Sequence, residues 1–251
     1  VKSLCKVLAL VLFAVCVFGL AAQAAASDAI TRPTLQLWLR ADAGVVLDAN
    51  GVIRWDDQSG RGNHAYGEPG AQPALVLDAV NGRPALAFDG QKSFVVVPHS
   101  DGLNAGTAFS VIAVYRYAKG SEIRRLMQKR SNVVGTGADA WYVAPGRGLA
   151  VAGVREMNTD YYGPGEFFVH TGVFDVASGK LALYKNGVLI VELPAKEGQV
   201  PNNHPLFIGK REHSNEAHFA GAIAEILIFS EALDDAARAE IERSLMAKYG
   251  L

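Results

Sequence analysis

Short runs of alternating apolar and polar positions fill most of the chain, and turns bearing Gly, Asn, Asp or Pro separate them. Leu35-Gln-Leu-Trp-Leu-Arg40 alternates with period two, the mark of a half-buried strand. Asp48-Ala-Asn-Gly51 predicts a turn, with Asn50 and Gly51 as the positive-φ pair, and residues 52–55 return from it. Residues 75–77, 84–88 and 93–97 read as further short strands, with turns at Asn81-Gly82 and Asp89-Gly90. Residues 109–117 form the longest strand of the first half. Its centre, Val111-Ile-Ala-Val114, is apolar on both faces, as in the middle of a packed sheet. Residues 124–129 mix charge with Leu126 and Met127 and are placed nearer an edge.

The second half repeats the pattern at 141–143, 149–153 and 167–176. Leu181-Ala-Leu-Tyr-Lys, Asn186-Gly187 and Val188-Leu-Ile-Val-Glu make a hairpin whose Asn-Gly pair favours a type I′ turn. Strands at 206–209 and 218–229 follow. The period then changes to that of a helix. Asp234 caps a helix running to about Lys248, with Ala237, Ile241 and Leu245 on one stripe and Gly250 as the stop. Many hairpins, one late helix and no strand–helix alternation predict an all-β fold. The expected architecture is a two-sheet antiparallel jelly-roll sandwich with one C-terminal α-helix.

The chain opens differently. Lys2 and Lys6 precede an apolar run over residues 7–20, too short to span a bilayer comfortably, and Ala-x-Ala sites end at Ala24 and Ala26. Residues 1–26 are therefore expected to be a signal peptide and residues 27–251 a single domain. Export follows, to the periplasm, the cell surface or the medium. Both cysteines, Cys5 and Cys16, fall in that leader, so the domain is expected to have no disulfide and no thiol chemistry. Without Lys2 and Lys6, 22 basic residues face 25 acidic ones. That balance argues against nucleic acid or an anionic membrane as partner.

One stretch concentrates polar chemistry. Trp55 ends a short strand and leads into Asp56-Asp-Gln-Ser-Gly-Arg-Gly-Asn63. Gly60 and Gly62 permit a tight turn, and Asp57 and Asn63 are expected to fold inward and fix it. Asp56, Asp57, Asn63 and Asp89 are also hard oxygen donors, which makes calcium the candidate cofactor, held by separate loops. Trp141, Tyr142, Tyr161 and Tyr162 are the candidate ligand-binding residues, because an aromatic face with a polar tip suits a sugar. Trp38 and Trp55 are assigned to the core.

Catalytic patterns are missing. A retaining glycosidase needs two carboxyl groups about 5–5.5 Å apart. Glu225 and Glu231 share a strand but stand six residues apart, roughly 20 Å of extended chain. Glu225 is instead expected to meet an Arg or a loop backbone. Tyr184-Lys-Asn-Gly187 is similar to part of a lyase motif, yet the hairpin turn accounts for it. The six histidines show no close metal spacing, and no G-x-S-x-G elbow, P-loop or dinucleotide fingerprint occurs.

Taken in order, Trp55-x-Asp57-x-Ser59-Gly60-x-Gly62-Asn63, Phe88-Asp89-Gly90, Leu183-Tyr184-x-Asn186-Gly187, Ile208-Gly209, Gly221-x-Ile223-x-Glu225-Ile226 and Ala232-Leu233 carry a resemblance. The chain resembles secreted bacterial LamG-like domains of the concanavalin A-like lectin/glucanase superfamily. The resemblance implies a two-sheet jelly roll that binds carbohydrate or protein, in some members with calcium. Glu231 stands where such domains often carry Arg, which removes an expected salt bridge. The reading is a non-catalytic exported module for a glycan or a cell-surface or extracellular protein. The alternatives are a structural or adhesive envelope protein and, third, a polysaccharide-degrading hydrolase or lyase.

Overall fold

The computed structural model describes residues 30–130, 139–156, 162–212 and 218–251. The expected signal peptide lies outside the described residues. In chain order the strands are β1 (Leu35–Arg40), β2 (Val45–Asp48), β3 (Gly51–Trp55), β4 (Ala65–Gly67), β5 (Ala74–Val80) and β6 (Arg83–Asp89). They continue with β7 (Val95–Val97), β8 (Ala108–Tyr117), β9 (Met127–Arg130), β10 (Asp139–Ala144) and β11 (Gly148–Val151). The last are β12 (Phe168–Asp175), β13 (Lys180–Lys185), β14 (Val188–Pro194), β15 (Leu206–Ile208) and β16 (Ala220–Phe229), before helix α1 (Asp235–Tyr249).

The strands form two antiparallel eight-stranded sheets. The first runs β14-β13-β12-β8-β16-β6-β5, and β1 pairs with the second half of β16 beside β6. The second runs β11-β10-β9-β15-β7-β4-β3-β2. This is the predicted jelly-roll sandwich. β9 corrects one expectation: it lies between β10 and β15, inside its sheet. Met127 and Lys129 share the inward face of the strand, and Gln128 looks outward. Met127 enters the core, and the buried Lys129 sends its ammonium to His99 Nδ1 at 3.2 Å and to the His204 carbonyl.

Two apolar layers hold the fold. One fills the space between the sheets and includes Phe109, Val111, Ala113, Tyr115 and Tyr117 of β8. The other lies between the first sheet and α1, and takes Ile112 and Val114 from the same strand. That is why β8 is apolar on both faces. The helix buries Ile241, Leu245 and Tyr249, with Ala237 packed beside them, as its stripe predicts. Asp234 Oδ1 accepts the Ala237 N–H at 2.8 Å, and Gly250 at φ 65° ends the helix.

The Asn-Gly turns divide. Asn186 and Gly187 take φ 48° and 80°, the type I′ geometry expected of the hairpin, and Asn81 and Gly82 take 48° and 76°. At the 48–51 turn only Gly51 has positive φ. There Asp48 Oδ1 accepts the N–H groups of Asn50 and Gly51 and shapes the turn instead. No helix among the described residues is long and apolar enough to cross a membrane.

Candidate functional site

The polar loop after Trp55 is a structural clasp. Trp55 is buried in the inter-sheet core, and its Nε1–H donates to the Arg40 carbonyl at 2.8 Å. Asp57 is buried beneath the turn. Its Oδ1 accepts the N–H groups of Trp38 and Ser59, each at 2.9 Å, and its Oδ2 accepts Asn63 N–H at 2.9 Å and Ser59 Oγ–H at 2.7 Å. Asn63 Nδ2 donates to the Gln36 carbonyl at 2.7 Å. The loop leaves β3 in one sheet and bonds to β1 in the other, so it closes one end of the sandwich. Gly60 and Gly62, at φ 81° and 76°, make the reversal possible.

The four candidate calcium ligands are already engaged by protein groups. Asp57 and Asn63 are bonded as above. Asp56 pairs with Arg54 at 2.7 Å and lies 3.2 Å from His64 Nδ1. Asp89 Oδ1 gathers the N–H groups of Gln91, Lys92 and Ser93 at the end of β6. Burial pushes the Asp89 carboxyl up, but these three N–H bonds outweigh it and hold it below the usual carboxylate range. Among the described residues no group of three or more His, Cys, Asp or Glu side chains is placed to hold a metal ion.

The aromatic candidates lie elsewhere than expected. Trp141 is fully buried against Phe109, ring centroids 5.0 Å apart, and its Nε1–H donates to the Leu103 carbonyl at 2.8 Å. Tyr162 is buried too, stacked 5.3 Å from Phe168, with its hydroxyl 3.0 Å from His170 Nδ1. Tyr142 points out of the second sheet but is covered, with the Arg125 guanidinium 3.7 Å above its ring. None of the three offers a free ring face, because core packing or a cation takes it. Tyr161 lies outside the described residues.

The open aromatic surface is formed by other residues. One cross-strand row crosses all eight strands of the second sheet: Val46, Arg54, Tyr66, Val96, Phe207, Gln128, Tyr142 and Ala150. Directly paired residues share a face, so the whole row looks outward. One half is covered: Gln128, Tyr142 and Ala150 are buried, and Gln128 Oε1 accepts the Glu212 N–H at 2.8 Å. The other half is open. Tyr66 is 45% exposed, Val96 and Phe207 are half-buried, and Phe94 lies beside them with its ring 6.1 Å from Phe207. The Lys210 ammonium stands 4.1 Å from the Phe94 centroid and 5.4 Å from that of Phe207. Sequence reasoning missed this group. The available signal was the strand phase: once Val95 and Val97 face the core, Phe94 and Val96 must face out.

Glu225 is engaged by three side chains. It is buried between the first sheet and α1, accepting from Trp38 Nε1 at 2.6 Å, Lys248 Nζ at 2.6 Å and Tyr249 Oη at 2.8 Å. The expected Arg or backbone partner is replaced by these three side chains. Lys248 also lies 3.2 Å from Asp42. Burial pushes the Asp42 carboxyl up, but the Arg40 hydrogen bond and the Lys248 charge prevail and hold it at about 2. Glu231, in place of the usual Arg, makes its own ion pair with Arg32 at 3.0 Å and accepts from Thr34 Oγ1. Tyr184 lies under the Arg238 guanidinium, 3.8 Å from its ring, and Asn186 Oδ1 accepts the Val169 N–H. The lyase-like residues are thus occupied structurally.

A family model of the concanavalin A-like lectin/glucanases superfamily, a laminin G type, matches residues 89–237, more than half of the chain. The chain belongs to this superfamily. Among solved structures it is similar to the binding domain of Paraclostridial Mosquitocidal Protein 1, with TM-score 0.56 and 16% identity over 85% of this chain and 52% of that one. It is similar to domain 4 of AbnA, a GH43 extracellular arabinanase from Geobacillus stearothermophilus, in complex with arabinotriose. That match has TM-score 0.58 and 14% identity, and covers 83% of this chain and 98% of that domain. The Trypanosoma rangeli sialidase aligns with TM-score 0.61 and 15% identity over 86% of this chain and 33% of its own. At these identities the likeness is one of fold. No curated protein sequence matches the chain.

Proposed function

We propose that this chain is an exported, non-catalytic module that binds a glycan on the open half of its second sheet. The observation that carries the reading is the outward row that is covered at Gln128, Tyr142 and Ala150 and open at Tyr66, Val96 and Phe207. Tyr66 there presents an exposed ring with little rotamer freedom to lose and a hydroxyl as polar tip, and the half-buried Val96, Phe207 and Phe94 extend the strip beside it. An elongated, amphipathic ligand such as a sugar chain suits that strip. The bound arabinotriose of the AbnA domain supports the reading, since that domain shares almost its whole length with this fold. The non-catalytic part rests on Glu225, whose carboxylate is consumed by Trp38, Lys248 and Tyr249 under the helix.

The test is titration of the purified chain with a polysaccharide panel that includes arabinan, together with an assay for reducing ends and unsaturated sugars. Binding without bond cleavage is expected. Tyr66→Ala should weaken it by about fivefold or more, the scale of one exposed aromatic anchor, at unchanged melting temperature. Cleavage of any polysaccharide overturns the non-catalytic assignment. Binding to none, with capture of an extracellular protein instead, overturns the glycan.

A further inference from the structure

We propose that the open face selects an anionic glycan and that the Lys210 ammonium is the group that reads its charge; this rests on the glycan-binding reading above. The argument starts from how the chain's lysines use their donors. Lys185 gives its ammonium to the Tyr162 carbonyl at 2.8 Å, Lys248 to Glu225 at 2.6 Å, and Lys129 to His99 and the His204 carbonyl. Lys210 is half-buried as well, yet among the described residues neither a carboxylate nor a carbonyl engages it. Two ring faces hold it instead, at 4.1 Å and 5.4 Å.

Ring quadrupoles attract a cation but offer no acceptor for its N–H groups. The rings remove water from one side of the ammonium, and no described carboxylate or carbonyl takes up its donors. A carboxylate or sulfate oxygen is the group that completes them, in a charge-assisted hydrogen bond. The other cation along the open row, Arg54, is neutralised by Asp56 at 2.7 Å. Among the described residues Lys210 is therefore an uncompensated charge beside Phe94 and Phe207. The whole chain carries a net charge of −1, so a polyanion is not drawn to it by bulk attraction. Recognition has to come from this local pairing.

The experiment measures affinity of the full chain for polygalacturonate, fully methyl-esterified polygalacturonate, dextran sulfate, neutral dextran and poly-L-glutamate. Wild type, Lys210→Gln and Lys210→Arg are compared, with thermal melting as the check on folding. At least one acidic polysaccharide should bind about tenfold more tightly than its neutral counterpart, as one charged hydrogen bond supplies. Added salt should weaken it. Which of polygalacturonate and dextran sulfate responds separates a carboxylate from a sulfate ligand. Lys210→Gln should abolish the preference, bringing acidic-chain affinity down to that of the neutral counterpart, and Lys210→Arg should keep most of it. Equal affinity for acidic and neutral chains overturns the role of Lys210 and leaves glycan binding standing. Poly-L-glutamate binding as tightly as the acidic sugars overturns it too, in favour of an acidic protein. Binding to no polysaccharide removes the glycan reading and this inference together.

Discussion

The Asp57 carboxylate accepts the backbone N–H of Trp38 at 2.9 Å, across nineteen residues and from one sheet to the other. The same carboxylate holds Ser59 and Asn63. A single buried side chain thus satisfies three backbone donors and a hydroxyl. Asp57→Ala leaves them all without their acceptor, at a cost of about 1–3 kcal/mol for each group kept from water. A loss of about 3 kcal/mol or more in urea unfolding at pH 7 is expected, whereas Ser59→Ala, which removes one hydroxyl, should lose about 1 kcal/mol. Equal, small losses in both variants would show that the clasp does not hold the sandwich end.

Calcium is expected to leave stability unchanged. Asp56, Asp57 and Asp89 spend their oxygens on Arg54, on turned backbone and on hydroxyls, and the Asn63 amide is tied through its N–H to the Gln36 carbonyl. An ion bound only by the folded chain adds about 2.7 kcal/mol at a hundredfold excess over its Kd. In a domain of this size that is a rise of roughly 5–10 °C. Melting in millimolar calcium and in chelator checks the point, and a rise on that scale, lost in Asp57→Ala, would establish a calcium site.

The helix is a structural layer. Ile241 is fully buried between α1 and the first sheet, in one cluster with Ile112, Val114, Leu227 and Leu245. Ile241→Ala should therefore cost about 2–4 kcal/mol. A change below about 0.5 kcal/mol, the scale of exposed sites, is the result that would leave the helix undocked.

His170 links stability to acid. Burial pushes its imidazole from the ordinary 6.5 down to about 3, so it stays neutral in the core. The unfolded chain binds the extra proton between those values. The stability contributed by neutral His170 is fully present above 6.5 and falls as the pH drops toward 3. From pH 7 to pH 4.5 the loss from this residue alone is about 2–3 kcal/mol. His170→Gln has no such proton to take up, so its unfolding free energy should fall less by that amount over the same interval. Parallel pH dependences in variant and wild type would refute the assignment.

Much of the fold is legible in local pattern. Period-two runs, the Asn186-Gly187 turn and the Asp234-capped helix with its Ile241 and Leu245 stripe each follow from short-range geometry, and the structure keeps them. The turn of the clasp is legible for the same reason, since Asp57 accepts the N–H groups of Ser59 and Asn63 within six residues. Its bond to Trp38 and that of Asn63 to Gln36 depend instead on the packing of β1. Which residues form a surface is a different question, because it depends on strands far apart in sequence. Tyr66, Val96 and Phe207 become neighbours only through the pairing of β4, β7 and β15. Trp141 and Tyr162 carry equally good side chains for sugar, but strand phase turns the first and loop packing the second into the core. Glu225 shows the limit most sharply. Simple alternation from Ile223 would send it between the sheets, yet a bulge between residues 223 and 225 puts Ala224 and Glu225 on the same side, toward the helix. The elements can be read from local pattern, because turn chemistry and hydrophobic period act over a few residues. The tertiary structure alone decided which side chains reach solvent together, because pairing, register and one extra residue in a strand are settled by contacts across the whole domain.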